Sequence, residues 1–269
     1  ATIGGYFQNR LPQSYVAGNI SAYQYISHPS NFNELIPPNV DLVAGDPLLE
    51  LQTNAMSTLA NAQVPGTDTW AGVVSWLKDF LATVTDDYDY VFIDLNPSFS
   101  MYTQIGLAAS NRIVLPVMAD DSSRRAIQNA FSLLYGLRLP SPIYAQHNFS
   151  TRMTQARLSI PTAHLIVKNR ITQYMGAASG YRAVLDAIDN DIQAMIINNT
   201  SNLSFNSIAQ GVTEIRDFQT TGVVAFALGK PFYLMRAGRP LVGGRRVQVN
   251  RDQISDRVNE MRDLALRLT

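Results

Sequence analysis

The chain has 269 residues, 46% of them hydrophobic and 16% charged, which excludes a disordered chain or a coiled coil and calls for a sizeable core. It contains no cysteine, so a disulfide scaffold, a thiolate zinc site, a cysteine-ligated iron–sulfur cluster and a thiol nucleophile are excluded. The formal charge is zero, yet residues 1–100 hold two basic side chains, Arg10 and Lys78, against ten acidic ones, leaving −8 there and +8 in the remainder. Such a split either offers a cationic surface to an anion such as DNA or is neutralised within the fold.

In chain order, Ala1–Tyr25 is polar and aromatic and reads as a loop or short helix continuing something upstream; it has no basic leader or apolar core of a signal peptide. Absence of cysteine fits a reducing cytosol, so a cytoplasmic location is expected. Val40–Val43 is a weak strand candidate. Trp70, Val73, Val74, Leu77, Phe80 and Leu81 recur at the spacing of one helical face. Tyr90–Ile93, Ile113–Met118 and His164–Val167 are short, continuous apolar runs of the kind buried on both faces of a parallel sheet. A second helix carries Ala126, Ala130, Leu133, Leu134 and Leu137, with Ser122 and Ser123 as N-caps. Val212–Ile215 and Pro231–Leu234 are weaker strands, Ser141–Ile160 and Arg236–Arg246 long loops. Ile254, Val258, Met261, Ala265 and Leu268 mark an amphipathic closing helix. Strands alternating with helices imply an α/β fold with a doubly wound, mostly parallel sheet, helices on both faces and ligands at the carboxyl ends of the strands. No apolar run reaches the roughly 18 residues that a membrane span requires.

The sharpest feature is Asp89-Tyr90-Val91-Phe92-Ile93-Asp94-Leu95-Asn96-Pro97-Ser98. A hydrophobic strand that ends in one carboxylate can hold Mg²⁺, often through water, beside nucleotide phosphates, and the turn after it can sense the terminal phosphate. Asp94 equally suits the N-cap of the next helix, and the local pattern leaves both readings open.

Several segments together resemble the ParA/MinD family of deviant-Walker ATPases. Asp89–Ser98 is similar to that family's Walker B and switch II segment. Gly106-Leu107-Ala108-Ala109-Ser110-Asn111-Arg112-Ile113-Val114-Leu115-Pro116-Val117 is similar to its alanine-rich helix followed by a valine-rich strand and proline. Ile36–Gly45 resembles the segment before switch II, Leu165-Ile166-Val167-Lys168-Asn169 the strand whose final Asn reads adenine, and Ala227-Leu228-Gly229-Lys230-Pro231 the Gly-Lys-Pro turn. The resemblance spans residues 36–269 and implies a P-loop NTPase-like fold, with ATP and Mg²⁺ as cofactors. By that resemblance Asp94 positions Mg²⁺, Pro97 lies in switch II, Asn169 hydrogen-bonds adenine, and Ile215, Arg216 and Asp217 flank the base. It further implies a homodimeric, nucleoid-associated ATPase of plasmid or chromosome partition or cargo positioning, which binds nonspecific DNA and answers to a ParB-like or other adaptor. From the residues alone, Asn169 reads equally as a strand-end turn residue.

Two departures accompany the resemblance. The only Gly-Lys, Gly229-Lys230, is followed by Pro231, so the phosphate loop is not in this sequence. The chain then reads as one ParA-like domain over residues 1–269 lacking its first strand, phosphate loop, first helix and second strand. Either the sequence is partial, with the catalytic lysine upstream, or the protein is a degenerate homologue acting as a DNA-binding or adaptor module. Asn96 stands where the family more often has Pro, which loosens switch II. A MinD-like membrane positioner anchored by the closing helix is a further alternative, disfavoured by Met261 and Ala265 in place of bulky aromatics.

The basic region 236–269 holds eight arginines against Asp252, Asp256, Glu260 and Asp263. In the family, basic residues near the carboxyl end contact the DNA backbone, which assigns that role to Arg245, Arg246, Arg251, Arg257 and Arg262. The alternative is a solvated helix face with acid–arginine pairs. His28, His147 and His164 show no metal-binding spacing, Asp86-Asp87 and Asp120-Asp121 read as turn residues, and no nucleophile elbow is present.

Overall fold

The computed structural model describes residues 2–18, 20–96, 98–137, 139, 141–171, 179–198 and 200–269. They gather into two units, one made of residues 1–29, 38–113 and 130–161, the other of residues 30–37, 114–129 and 162–269.

The first unit is built on helices α1 (Ile3–Arg10), α2 (Leu48–Ala60), α3 (Thr69–Val74), α4 (Trp76–Ala82), α5 (Met101–Ala109) and α7 (Phe149–Gln155). Aromatic residues bind them together. Tyr6 of α1 meets Phe80 edge-on at 4.8 Å and Tyr25 at 5.6 Å, and Phe7 leans on Trp76 at 5.9 Å. Burial of each such ring stabilises the fold by roughly 1.5–3 kcal/mol. Their polar tips are also satisfied, since the Tyr6 hydroxyl donates to the Trp76 carbonyl (2.6 Å) and Trp76 Nε1 to Ser14 O (2.9 Å). The polar opening segment thus supplies a core helix. The helix expected over Trp70–Leu81 is divided at Ser75 into α3 and α4, with Trp70, Val73, Val74, Leu77 and Phe80 all buried. A second aromatic group joins Trp70, Phe99 and Phe149, with Arg152 over the Trp70 ring at 4.5 Å.

Strands β1 (Arg112–Val117), which enters the second unit at Val114, β2 (Thr162–Ile171) and β3 (Val212–Arg216) form a sheet in that order. β2 and β3 run parallel, with Ile166 opposite Val212 and Lys168 opposite Glu214. Leu165, Ile166 and Val167 are buried, as a continuous apolar run in a central parallel strand requires. Helix α6 (Asp121–Tyr135) follows β1; α8 (Ser179–Asn198) and α9 (Ile208–Gly211) lie between β2 and β3. Then come α10 (Gln219–Ala227), a short β4–β5 ribbon (Leu241–Val242 with Arg245–Arg246) and α11 (Arg251–Leu268). The architecture is mixed α/β with parallel pairing, and Leu264 and Leu268 of α11 pack on Leu165, Val167 and Ile215. The apolar stripe of α11 is therefore used on the sheet, with Leu264 rather than Ala265 in the packed row.

Four sequence expectations are corrected. Tyr90–Ile93 is not a strand: residues 88–96 carry no regular structure, and Phe92 is 75% exposed. A strand needs a neighbour for its N–H and C=O groups, and among the described residues none pairs with this run. Val40–Val43 makes only a single bridge, Leu42 to Ser27, among the described residues. At Pro231–Leu234 the backbone turns instead, with Leu234 N–H donating to Pro231 O at 3.0 Å. Finally, Asp120 rather than Ser122 or Ser123 caps α6, its carboxylate accepting from Ser123 N–H at 2.7 Å.

Candidate functional site

Three places bear on the residues singled out by sequence. The first is the segment around Asp94. It is pinned at both ends and open between. At its start the Tyr88 hydroxyl donates to Asp41 Oδ2 (2.6 Å), whose other oxygen meets His28 Nδ1 (2.6 Å). The bond from Tyr88, and secondly that from His28, holds the Asp41 carboxyl below its usual range, while the same carboxylate pushes the Tyr88 hydroxyl up to about 12. At the far end Leu95 lies on α5 at Gly106, where a Cβ would come within 2.4 Å of Leu95 Cδ2. Asn96 Oδ1 accepts from Ser98 N–H (2.9 Å), and Thr103 Oγ1 reaches Asn96 O at 3.4 Å. Between these pins Asp94 is exposed, and its carboxylate takes no hydrogen bond or ion pair among the described residues. It does not cap α5, whose N-cap is Ser100. Pro97 lies outside the described residues.

The second place is the carboxyl ends of β2 and β3. The ladder is irregular between Lys168 and Ile171, so Asn169 and Arg170 bulge out of the strand. Asn169 Oδ1 accepts from Arg170 N–H (2.9 Å), and Arg170 has φ of 59°. A left-handed arginine is uncommon, and such outliers concentrate at functional sites. Asp217 bridges the two strand ends: its N–H donates to Ile171 O (3.0 Å), one carboxylate oxygen lies 3.6 Å from Arg170 Nη2, and the other accepts from Gln219 N–H (2.8 Å). Gln219 is also left-handed, with φ of 43°. Asn169 and Asp217 are therefore brought to one edge. Ile215 is buried beneath it in the core. Arg216 is engaged elsewhere, bonding Glu260 and reaching Asp256 at 3.3 Å, so it ties β3 to α11.

Sequence reasoning missed what supports this edge. Lys168 is buried, 4% exposed, with Nζ 2.8 Å from Asp189 of α8 and 3.6 Å from Glu214 of β3. The available signal was a lone lysine directly after the apolar run His164–Val167, with no acid adjacent to it in sequence. Arg170 and Gln219 gave none, because nothing local marks a left-handed residue that is neither Gly nor Asn.

The third place is the basic region. Arg245 and Arg246 lie exposed on the β4–β5 ribbon, and Arg251 and Arg262 exposed on α11. Arg257 differs: its side chain is 12% exposed, pairs with Glu260 at 3.1 Å and lies over the Phe218 ring at 5.6 Å. Its charge serves the packing of α11. No group of three or more His, Asp or Glu side chains that could hold a metal occurs among the described residues, and no helix among them is long and apolar enough to cross a membrane.

Residues 9–137 match the AAA domain family. The chain is 42% identical over 45 residues to the chromosome-partitioning ATPase Soj of Treponema pallidum, covering 17% of this chain and 18% of that protein. It is 33% identical over 88 residues to an uncharacterized protein of Pseudomonas putida (32% of this chain, 26% of the relative). A further uncharacterized protein, from Mycobacterium tuberculosis, is 31% identical over 94 residues (35% and 24%). No solved structure matches. The chain spans about a quarter or less of the length of the curated relatives it matches.

Proposed function

We propose that the protein is a ParA-like partition or positioning ATPase that binds ATP with Mg²⁺, dimerises, holds nonspecific DNA and is reset when an adaptor of the ParB kind stimulates hydrolysis. The observation that carries the reading is Asp94, an exposed carboxylate without a partner among the described residues, at the end of an apolar run inside the stretch that matches the AAA domain family. The donor set fits Mg²⁺. That ion is commonly bound through one or two carboxylates, waters and substrate phosphates rather than an all-protein cage, and a single free carboxylate is what such a site asks of the chain. Bound there, the ion would neutralise charge developing on the phosphates. Asp94 would orient the ion's water shell, and Ser98 and Asn96 would face the terminal phosphate.

The experiment is ATP hydrolysis by the full-length protein with Mg²⁺ and duplex DNA, with D94N beside it. Loss of a clamp that provides several kcal/mol of transition-state stabilisation should lower the rate at least about 100-fold. D94N hydrolysing at the wild-type rate would remove Asp94 from the site. A wild-type protein that neither binds nor hydrolyses ATP would leave the non-catalytic adaptor reading in its place.

A further inference from the structure

The amino end of β2, opposite the end that carries Asn169, holds a serine and a histidine that the nucleotide reading does not use. Ala163 and Leu203 form a parallel bridge, and Ser204 N–H donates to Ala163 O at 3.0 Å, which lays Ser204 alongside His164. His164 Nδ1 is 2.7 Å from Ser204 Oγ, and His164 Nε2 is 2.9 Å from the carbonyl oxygen of Arg267. A carbonyl can only accept, so Nε2 carries the proton, and in the neutral ring Nδ1 accepts from the Ser204 hydroxyl. Arg267 O is among the last carbonyls of α11, which have no partner within the helix and lie at the negative end of its dipole. That end is fixed in turn, because Arg267 Nη1 donates to Ala209 O (3.1 Å) and Gln210 O (3.4 Å).

Ser204 is exposed and His164 half-buried, and both line a pocket of about 560 Å³ with Leu203, Phe205, Asn206 and Gln210. Small-molecule sites occupy roughly 300–1,000 Å³. Phe205 N–H, the backbone donor directly after Ser204, makes no hydrogen bond among the described residues. We propose that Ser204 is the nucleophile of a second site, separate from the nucleotide edge, which hydrolyses small carboxylic esters with an apolar acyl group. A serine hydroxyl needs an adjacent base, and that base an orienting group; His164 and the Arg267 carbonyl fill these roles. The N–H after a nucleophile is a donor of the kind that stabilises the oxyanion of the tetrahedral intermediate. Ser204 Oγ attacks the ester carbonyl carbon as its proton passes to His164 Nδ1. The bond from that carbon to the alcohol oxygen breaks, and the alcohol leaves with the proton. Water then gives a proton to His164 and attacks the acyl carbon, releasing the carboxylic acid as Ser204 Oγ takes the proton back. Arg267 O stabilises the imidazolium formed in each half. Leu203 and Phe205 suit an apolar acyl group, and no lysine or arginine among the described residues lines the pocket to favour an anionic one.

The test treats the full-length protein with an alkyl fluorophosphonate, which forms a phosphorus–oxygen bond at an activated serine as fluoride leaves, and maps the labelled peptide by mass spectrometry. Native wild type should be labelled at Ser204 and should hydrolyse p-nitrophenyl butyrate, whereas heat-denatured wild type should not be labelled. S204A should lose both activities. H164Q can keep both hydrogen bonds but removes the base, so both rates should fall at least about 100-fold. Wild-type protein that is folded by circular dichroism yet unlabelled at Ser204 overturns the proposal and leaves the His164–Ser204 contact as a tie between β2 and the 203–206 stretch. Labelling that is equal in native and denatured protein, or unchanged in H164Q, overturns it as well.

Discussion

At the scale of single residues, the decisive contacts are those that fix the two ends of the Asp94 segment. Asp41 accepts from both Tyr88 and His28, and the consequences for pH follow from which forms the bonds favour. The Tyr88 hydroxyl is raised from 10.0 to about 12, so its contribution to stability is complete below its unfolded value and is lost as pH climbs between the two. Asp41 is held low, so its contribution is complete above the ordinary aspartate value of about 3.9 and is lost as pH falls below it. The tether should therefore be intact from about pH 4 to about pH 10. Denaturant midpoints of wild type and Y88F should differ most near pH 9 and converge as the pH approaches 12, whereas a gap that stays constant would show that this hydroxyl does not titrate with folding. Asp94 itself was legible in sequence, because a carboxylate after an apolar run is a local pattern. Its freedom from the following helix was not, since only the backbone shows that Ser100 starts α5.

Elements succeed or fail through their neighbours. Gly106 lets α5 approach the Asp94 segment so closely that a methyl group would overlap Leu95. G106A must displace the end of the Leu95 side chain, a cost that the helix preference of Ala over Gly, about 1 kcal/mol, offsets, and in the L95A background, where that side chain is gone, G106A should stabilise the protein by about that 1 kcal/mol. Thermal unfolding of the two single variants and the double variant measures the coupling, and strict additivity would mean that this close approach does not constrain the segment. The strands Ile113–Met118, His164–Val167 and Val212–Ile215 were readable because each pairs within the sheet that its apolar run implies. Tyr90–Ile93 has an equally strong pattern yet forms no ladder: composition records the tendency to pair, not the presence of a partner. The turn-rich stretch Arg236–Arg246 shows the converse. Its glycines signalled a turn, but the ribbon around them depends on Val242, Val247 and Val249 finding a core to rest on.

Across the whole molecule, the zero net charge conceals a difference between an acidic first hundred residues and a basic remainder. Because association with a polyanion depends on local cation density rather than on total charge, the protein should be retained on immobilised DNA at pH 7 and about 50 mM salt and released well before 1 M. Passage without retention would mean that the fold neutralises its own basic region. The alternation of helix and strand was legible along the chain because it follows from periodicity, and short local patterns carried the resemblance to ParA-like ATPases that singled out Asp94 and Asn169. Tertiary structure alone decided which charges remain available. Arg216 is drawn to Glu260, Lys168 to Asp189 and Glu214, and Arg245 and Arg246 are left exposed on the ribbon. The physical reason is that an ion pair joins residues distant in sequence, so whether an arginine holds the fold or meets a ligand depends on what folding brings within a few ångströms of it.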